Sequence, residues 1–187
     1  LKKSLKEFRK LINTLKRQKN KDEAKIHSFL VRNYWLLGIE YYSKPKKSAI
    51  NEFGERTDKE VSAEDRSRPD IIIESVDGSK TAVFFELEEV KDKVIHRIGK
   101  KETGLFASDM IEAINQAVRY TIQAKLKGKY PKGKVVVGTI GKNKKWKAKF
   151  AEISEYLGNI EILTYDDLIE KAQKTIDFFE NYEKNSQ

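Results

Sequence analysis

A chain of 187 residues can bury one good hydrophobic core and is short for two. Its 36% charged and 39% hydrophobic residues describe a water-facing globular protein. No apolar run approaches the roughly 18 to 20 residues of a bilayer span, no secretory leader opens the chain, and zero cysteines exclude disulfides and thiolate metal sites, which fits a reducing cytoplasm.

The net charge of +9 sits in two blocks. Residues 1–21 carry nine Lys and Arg against one acid, and residues 125–149 carry ten lysines and no acid. Residues 22–124 and 150–187 come to −3 and −6. Positive charge concentrated in this way suits a polyanion on one surface.

In chain order, residues 2–19 predict a helix. Its apolar positions Leu1, Leu5, Phe8, Ile12 and Leu15 alternate spacings of four and three, the pattern of a coiled-coil seam. Residues 1–21 are therefore read as a basic helix or linker that packs on a partner subunit, giving a homo-oligomer. The other expected partner is a preceding regulatory region of the same protein, because residue 1 is Leu rather than Met. The remaining residues, 22–187, are read as one α/β domain.

Asp22 is placed to cap a helix over 23–33, with Ile26, Phe29 and Leu30 on its apolar side. Residues 44–69 are polar and turn-rich, with a short strand expected near 49–53. Residues 70–74 and 81–87 predict two strands joined by a turn at Asp77-Gly78. Residues 89–106 are charged and glycine-punctuated and read as a loop. A helix over 109–126 is expected to bury Ile111, Ile114, Val118 and Ile122. A strand over 134–140, a helix over 146–157 and a strand over 160–164 follow. Thr164-Tyr165-Asp166-Asp167 has capping-box spacing and opens a last helix to residue 182.

Facing residues of an antiparallel hairpin have numbers with a constant sum, here 155 or 156. Asp70 and Glu86 then lie across from each other or one place off. Glu88, two residues beyond Glu86, projects from the same face. Clustered carboxylates repel unless a cation or raised pKa values relieve them. Hard oxygen ligands of this kind suit Mg²⁺ or Mn²⁺, whereas the isolated His27 and His96 and the lack of cysteine argue against zinc.

Arg68-Pro69-Asp70 and its apolar strand, followed by Val83-Phe84-Phe85-Glu86-Leu87-Glu88, resemble the signature of the PD-(D/E)XK nucleases. Gln116 and Tyr120 resemble the Q-x-x-x-Y element of the RecB-like branch, and Glu23 resembles an acidic helix position found in many members. More narrowly, four pieces resemble the nuclease domain of the Shedu anti-phage defence family. They are Glu23–Leu30 with Asn33–Gly38, the acidic hairpin, Gln116–Tyr120, and Ile162–Leu168.

The resemblance implies a restriction-endonuclease-like three-layer α/β/α fold, with a central mixed sheet flanked by the helices at 23–33 and 109–126. It also implies Mg²⁺- or Mn²⁺-dependent cleavage of DNA in phage defence. Asp70, Glu86 and Glu88 would be metal ligands, and Gln116, Tyr120 and Glu23 would complete the catalytic set. The family pattern has Lys where this chain has Glu88. That exchange leaves a second reading open: a nucleic-acid-binding or assembly module that kept the fold and lost the chemistry. Lys91 or Lys93 is a candidate substitute for the missing lysine. Within the basic segment, Lys142, Lys144, Lys145 and Lys147, with Trp146 among them, are expected to track the phosphates of duplex DNA together with Arg119.

Overall fold

The computed structural model describes residues 1–17, 23–38, 69–74, 81–88, 90, 94–98, 101–138 and 144–185. The elements are α1 (Lys2–Leu15), α2 (Glu23–Arg32), a 3-10 turn (Tyr34–Leu37), β1 (Ile71–Glu74), β2 (Thr81–Leu87), β3 (Ile95–Ile98), β4 (Lys101–Phe106), α3 (Ser108–Leu126), β5 (Tyr130–Val137), α4 (Lys144–Leu157), β6 (Ile160–Thr164) and α5 (Tyr165–Asn185). The predicted cap at Asp22, the strand at 49–53, the turn at Asp77-Gly78 and the substitute cations Lys91 and Lys93 lie outside the described residues.

The α/β expectation holds. A four-stranded mixed sheet runs β1-β2-β5-β6, with β1 antiparallel to β2 and the other pairs parallel. Both faces are covered, which is why Val83-Phe84-Phe85 and Val135-Val136-Val137 are apolar without alternation. Ile71, Ile73, Val83, Phe85, Val136 and Leu163 face α1, α2 and α5. Val135, Val137, Ile160 and Ile162 face α3 and α4, while Ile72, Ala82 and Phe84 meet Tyr120 and Ala124 of α3. The helices expected to flank the hairpin, α2 and α3, do so from opposite faces.

Three expectations are corrected. The seam of α1 is not left for a partner. Leu5, Phe8, Ile12 and Leu15 are buried in the core under α2 and α5, with Phe8 stacked on Phe29 at 5.6 Å between ring centres. Arg9 donates to Gln173 at 3.0 Å, and Lys2 pairs with Glu180, along the same α1–α5 seam. Burying side chains of this size stabilises by about 1.5–3 kcal/mol each, so α1 belongs to the core and its seam offers nothing to self-association.

Helix α3 is turned from the expected orientation. It buries Met110, Ala113, Ala117, Tyr120, Thr121 and Ala124; of the expected stripe, Ile114 and Val118 pack half-buried against the core, while Ile111 and Ile122 are exposed. The cause is close approach to β5. A Cβ on Gly133 would come within 2.5 Å of Ile160 Cδ1 and 3.4 Å of the Ala117 Cβ. Only the small side chains of α3 fit against that strand.

Residues expected to be a loop contain the β3–β4 hairpin, a separate two-stranded sheet. Its sequence has too few alternating apolar positions to announce itself. Strand β5 also begins at Tyr130, before the expected 134.

The last helix starts as its sequence predicts. Thr164 Oγ1 accepts from the Asp167 N–H at 3.1 Å, and the Asp167 carboxylate accepts from the Thr164 N–H at 2.9 Å and from the Thr164 hydroxyl at 2.6 Å. This is a reciprocal capping box with Asp as the second partner.

Candidate functional site

The β1–β2 register pairs Ile71 with Phe85 and Ile72 with Phe84, so the next step beyond the strand sets Asp70 across from Glu86. That is the second of the two registers allowed by the sequence. Strand alternation puts both residues on the side of Ile72, Ala82 and Phe84, the face covered by α3. Asp70 Oδ2 accepts the Leu87 N–H at 2.7 Å, which holds its carboxylate against the backbone next to Glu86. Glu86 itself is buried, 5% exposed, in a strand whose other residues after Thr81 are Ala, Val, Phe and Leu.

Burial pushes the Asp70 carboxyl above the usual carboxylate range and outweighs the Leu87 N–H and nearby His27, which act in the opposite direction. A carboxylate destabilised in this way favours a proton or a cation. Among the described residues no group of three or more His, Asp or Glu side chains is placed to hold a metal ion. Glu88 is half-buried just past the end of β2. Its N–H donates to the Val136 carbonyl at 2.9 Å, and its own carbonyl accepts the Tyr165 hydroxyl at 2.6 Å.

Tyr120 packs on the same face of the sheet with Ile72, Ala82 and Phe84, its ring tilted against Phe84 at 6.4 Å. Gln116, one helical turn earlier on the same face of α3, is half-buried. Arg119 is exposed. Glu23 opens α2, and its side chain lies outside the described residues.

His27 was not predicted as a site residue, yet it reaches the site. Its Nε2 lies 2.7 Å from the Asp70 backbone carbonyl, and because a carbonyl only accepts, Nε2 carries the proton. The sequence held a signal for this: His27 is four residues after Glu23 and so shares its helix face.

The lysine segment divides. Lys142 lies outside the described residues, and Lys144 and Lys145 sit in the first turn of α4 with undescribed side chains. Lys147 pairs with Asp167 at 2.7 Å and Glu170 at 3.5 Å, bonds that raise its pKa. It ties α4 to α5 instead of standing free for a phosphate. Lys149 lies over the buried Trp146 ring at 4.9 Å. On the opposite face of the sheet from the acids, Lys134 meets Glu161 at 3.1 Å. Burial lowers the Lys134 pKa against that pull.

A search of curated proteins gave no match. The sequence model of the family described as Shedu protein SduA, C-terminal, matches residues 20–169, a span that runs through the acidic hairpin and α3 to the first turn of α5. With most of its length matched, the chain belongs to the Shedu protein SduA C-terminal family.

Proposed function

We propose that this domain hydrolyses DNA phosphodiester bonds with the help of a divalent ion, as the nuclease part of an anti-phage defence protein. Family membership carries the defence role. The observation that carries the chemistry is the pairing of Asp70 and Glu86, one fixed by the Leu87 N–H and the other buried beside it on the α3 face.

Two carboxylates fit Mg²⁺ or Mn²⁺, which bind through one or two protein acids and take the rest of their shell from water and substrate phosphate. Glu88 does not join Asp70 and Glu86 in a three-acid group among the described residues, so the reading rests on two carboxylates. A bound ion would polarise the phosphate and lower the pKa of its water. Asp70 and Glu86 would hold it, and the raised Asp70 pKa means that ion binding competes with a proton there. Gln116 and Tyr120 would complete the site from α3, the helix on the face that carries both acids, and His27 fixes the backbone that presents Asp70.

The test is incubation with linear duplex DNA and Mg²⁺ or Mn²⁺. Nicking by the wild type that disappears in Asp70→Asn supports the reading. Nicking that persists unchanged in the variant removes it.

One observation favours a second reading. Glu88 stands where related nucleases carry lysine, and glutamate cannot stabilise the negative charge that develops on phosphorus. A non-cleaving nucleic-acid-binding or assembly module would shift DNA without a metal requirement and with steep salt dependence.

A further inference from the structure

The sheet covers one side of α3 and leaves an apolar line on the other. Ile111, Ile122 and Leu126 are 48%, 54% and 83% exposed. Single exposed apolar residues are ordinary on a surface, but β-branched ones on the outer side of a helix lose rotamer freedom and helix propensity for no local gain. Two isoleucines in line there call for a covering partner.

The outward positions have a period. Ile111, Asn115, Val118 and Ile122 follow at spacings of four, three and four, the d-a-d-a order of a coiled-coil seam that ends at Lys125. Ile111, Asn115 and Ile122 are exposed, and Val118 is half-buried at the margin of the core. Ala113, Ala117, Tyr120 and Ala124, which pack on the sheet, fall at the c and f positions on the opposite side of the helix. One helix thus carries an inner face for its own sheet and an outer seam.

The charges of α3 say what the seam would accept. Asp109 and Glu112 lie in its first half, Arg119 and Lys125 in its second. A parallel copy would set like charges side by side, whereas an antiparallel copy sets unlike ones together. Facing positions of an antiparallel pair have a constant sum, so Ile111 of one copy meets Ile122 of the other and Asn115 meets Val118. Each contact occurs twice about a two-fold axis. In the same register Glu112 lies beside Arg119 of the second copy on both edges, and Asn115 is the polar seam residue that fixes register at some cost in stability.

We propose that α3 is a self-association surface on which a second copy of this chain packs its own α3, antiparallel. The seam of α1 is filled from within; the apolar line of α3 is filled by the second copy.

The experiment is sedimentation velocity of the full chain in EDTA at roughly 1 to 200 μM, which reads a micromolar Kd. The wild type passes from monomer to dimer over that range. Ile122→Glu weakens the dimer roughly a hundredfold, about tenfold for each of the two copies of the substitution in the interface. Circular dichroism shows that this exposed substitution keeps the helix content of the wild type. Glu112→Arg or Arg119→Glu alone weakens the dimer roughly 2- to 25-fold, since each breaks two edge pairs, and the two together restore it. Tyr156→Glu alters an exposed ring on α4 and leaves dimerisation in place. Asp70→Asn also leaves it in place, so this surface stands or falls apart from the nuclease reading.

The proposal is overturned if the wild type stays monomeric throughout, if Ile122→Glu dimerises like the wild type, or if the double charge exchange recovers none of what the single ones lose.

Discussion

His27 Nε2 donates to the backbone carbonyl of Asp70 at 2.7 Å, joining a helix on one side of the sheet to the residue that opens the acidic hairpin. The bond leaves the Asp70 carboxylate free to accept from Leu87 while fixing the main chain behind it. Removing such support commonly costs 10- to 100-fold in activity or metal affinity. His27→Ala is expected to lower metal-dependent nicking by about that factor and to raise the Mn²⁺ concentration at half-maximal rate. His27→Gln, which keeps a donor, recovers part of the loss. Equal rates for wild type and His27→Ala would remove the positioning role.

Asp70 links stability to pH in a definite direction. Its folded pKa is raised by burial, so the stability it allows is complete below the unfolded value and is lost as pH rises through the folded value. Metal-free Asp70→Asn should therefore melt above the wild type at neutral pH, with the gap closing as the medium is acidified. Thermal melts in EDTA across that range check it.

The ion proposed for Asp70 and Glu86 would stabilise only the folded state. At a hundred times its Kd it adds about 2.7 kcal/mol, on the order of 5–10 °C in Tm for a chain of this size. Mn²⁺ should raise the Tm of the wild type by that amount and leave Asp70→Asn unmoved, and EDTA should reverse the gain.

Glu88→Lys installs the lysine of the PD-(D/E)XK pattern that the acidic hairpin resembles. A single donor to the developing charge is worth about 10²- to 10³-fold, so nicking should rise in this variant while oligonucleotide affinity changes far less. A wild type without activity that gains it through Glu88→Lys would establish the binding-module reading for the natural chain.

Thr164 and Asp167 cap α5 reciprocally. Replacing either by Ala should cost about 0.5–2 kcal/mol, roughly 2–4 °C of Tm per kcal/mol. Burial works against ionised Asp167, but Lys147 and Thr164 outweigh it and hold its pKa below the usual range. The ionic part of its contribution is present above the unfolded pKa and is lost as pH falls through the folded one. Asp167→Asn and wild type should therefore converge in acid.

Phe8 tests whether α1 is integral. It is fully buried against Phe29 and Tyr165. Phe8→Ala should cost about 3–5 kcal/mol, a drop on the order of 10 °C. An unchanged Tm would return α1 to the status of a detachable linker.

The amino-acid order alone determined what depends on local spacing. Runs such as Ile71-Ile72-Ile73 and Val83-Phe84-Phe85 read as buried strands, the sum rule limited Asp70 and Glu86 to two registers, and Thr164 to Asp167 announced a cap that formed as written. These features obey the fixed periods of helix and strand, which neighbouring residues set. Tertiary structure decided everything that depends on what lies across an interface. The spacing of Leu5, Phe8, Ile12 and Leu15 is equally good for a foreign helix and for α5, and only the folded chain fills that seam from within. Two apolar sides were available on α3, and the one with small residues was buried because Gly133 and Ile160 leave no room for Ile111 or Ile122. Lys147 meets Asp167 across a separation in sequence that no local pattern encodes, and the helix face that His27 shares with Glu23 does not say that its ring meets the Asp70 carbonyl. Burial partners are chosen by shape and distance in three dimensions, and a one-dimensional period carries neither.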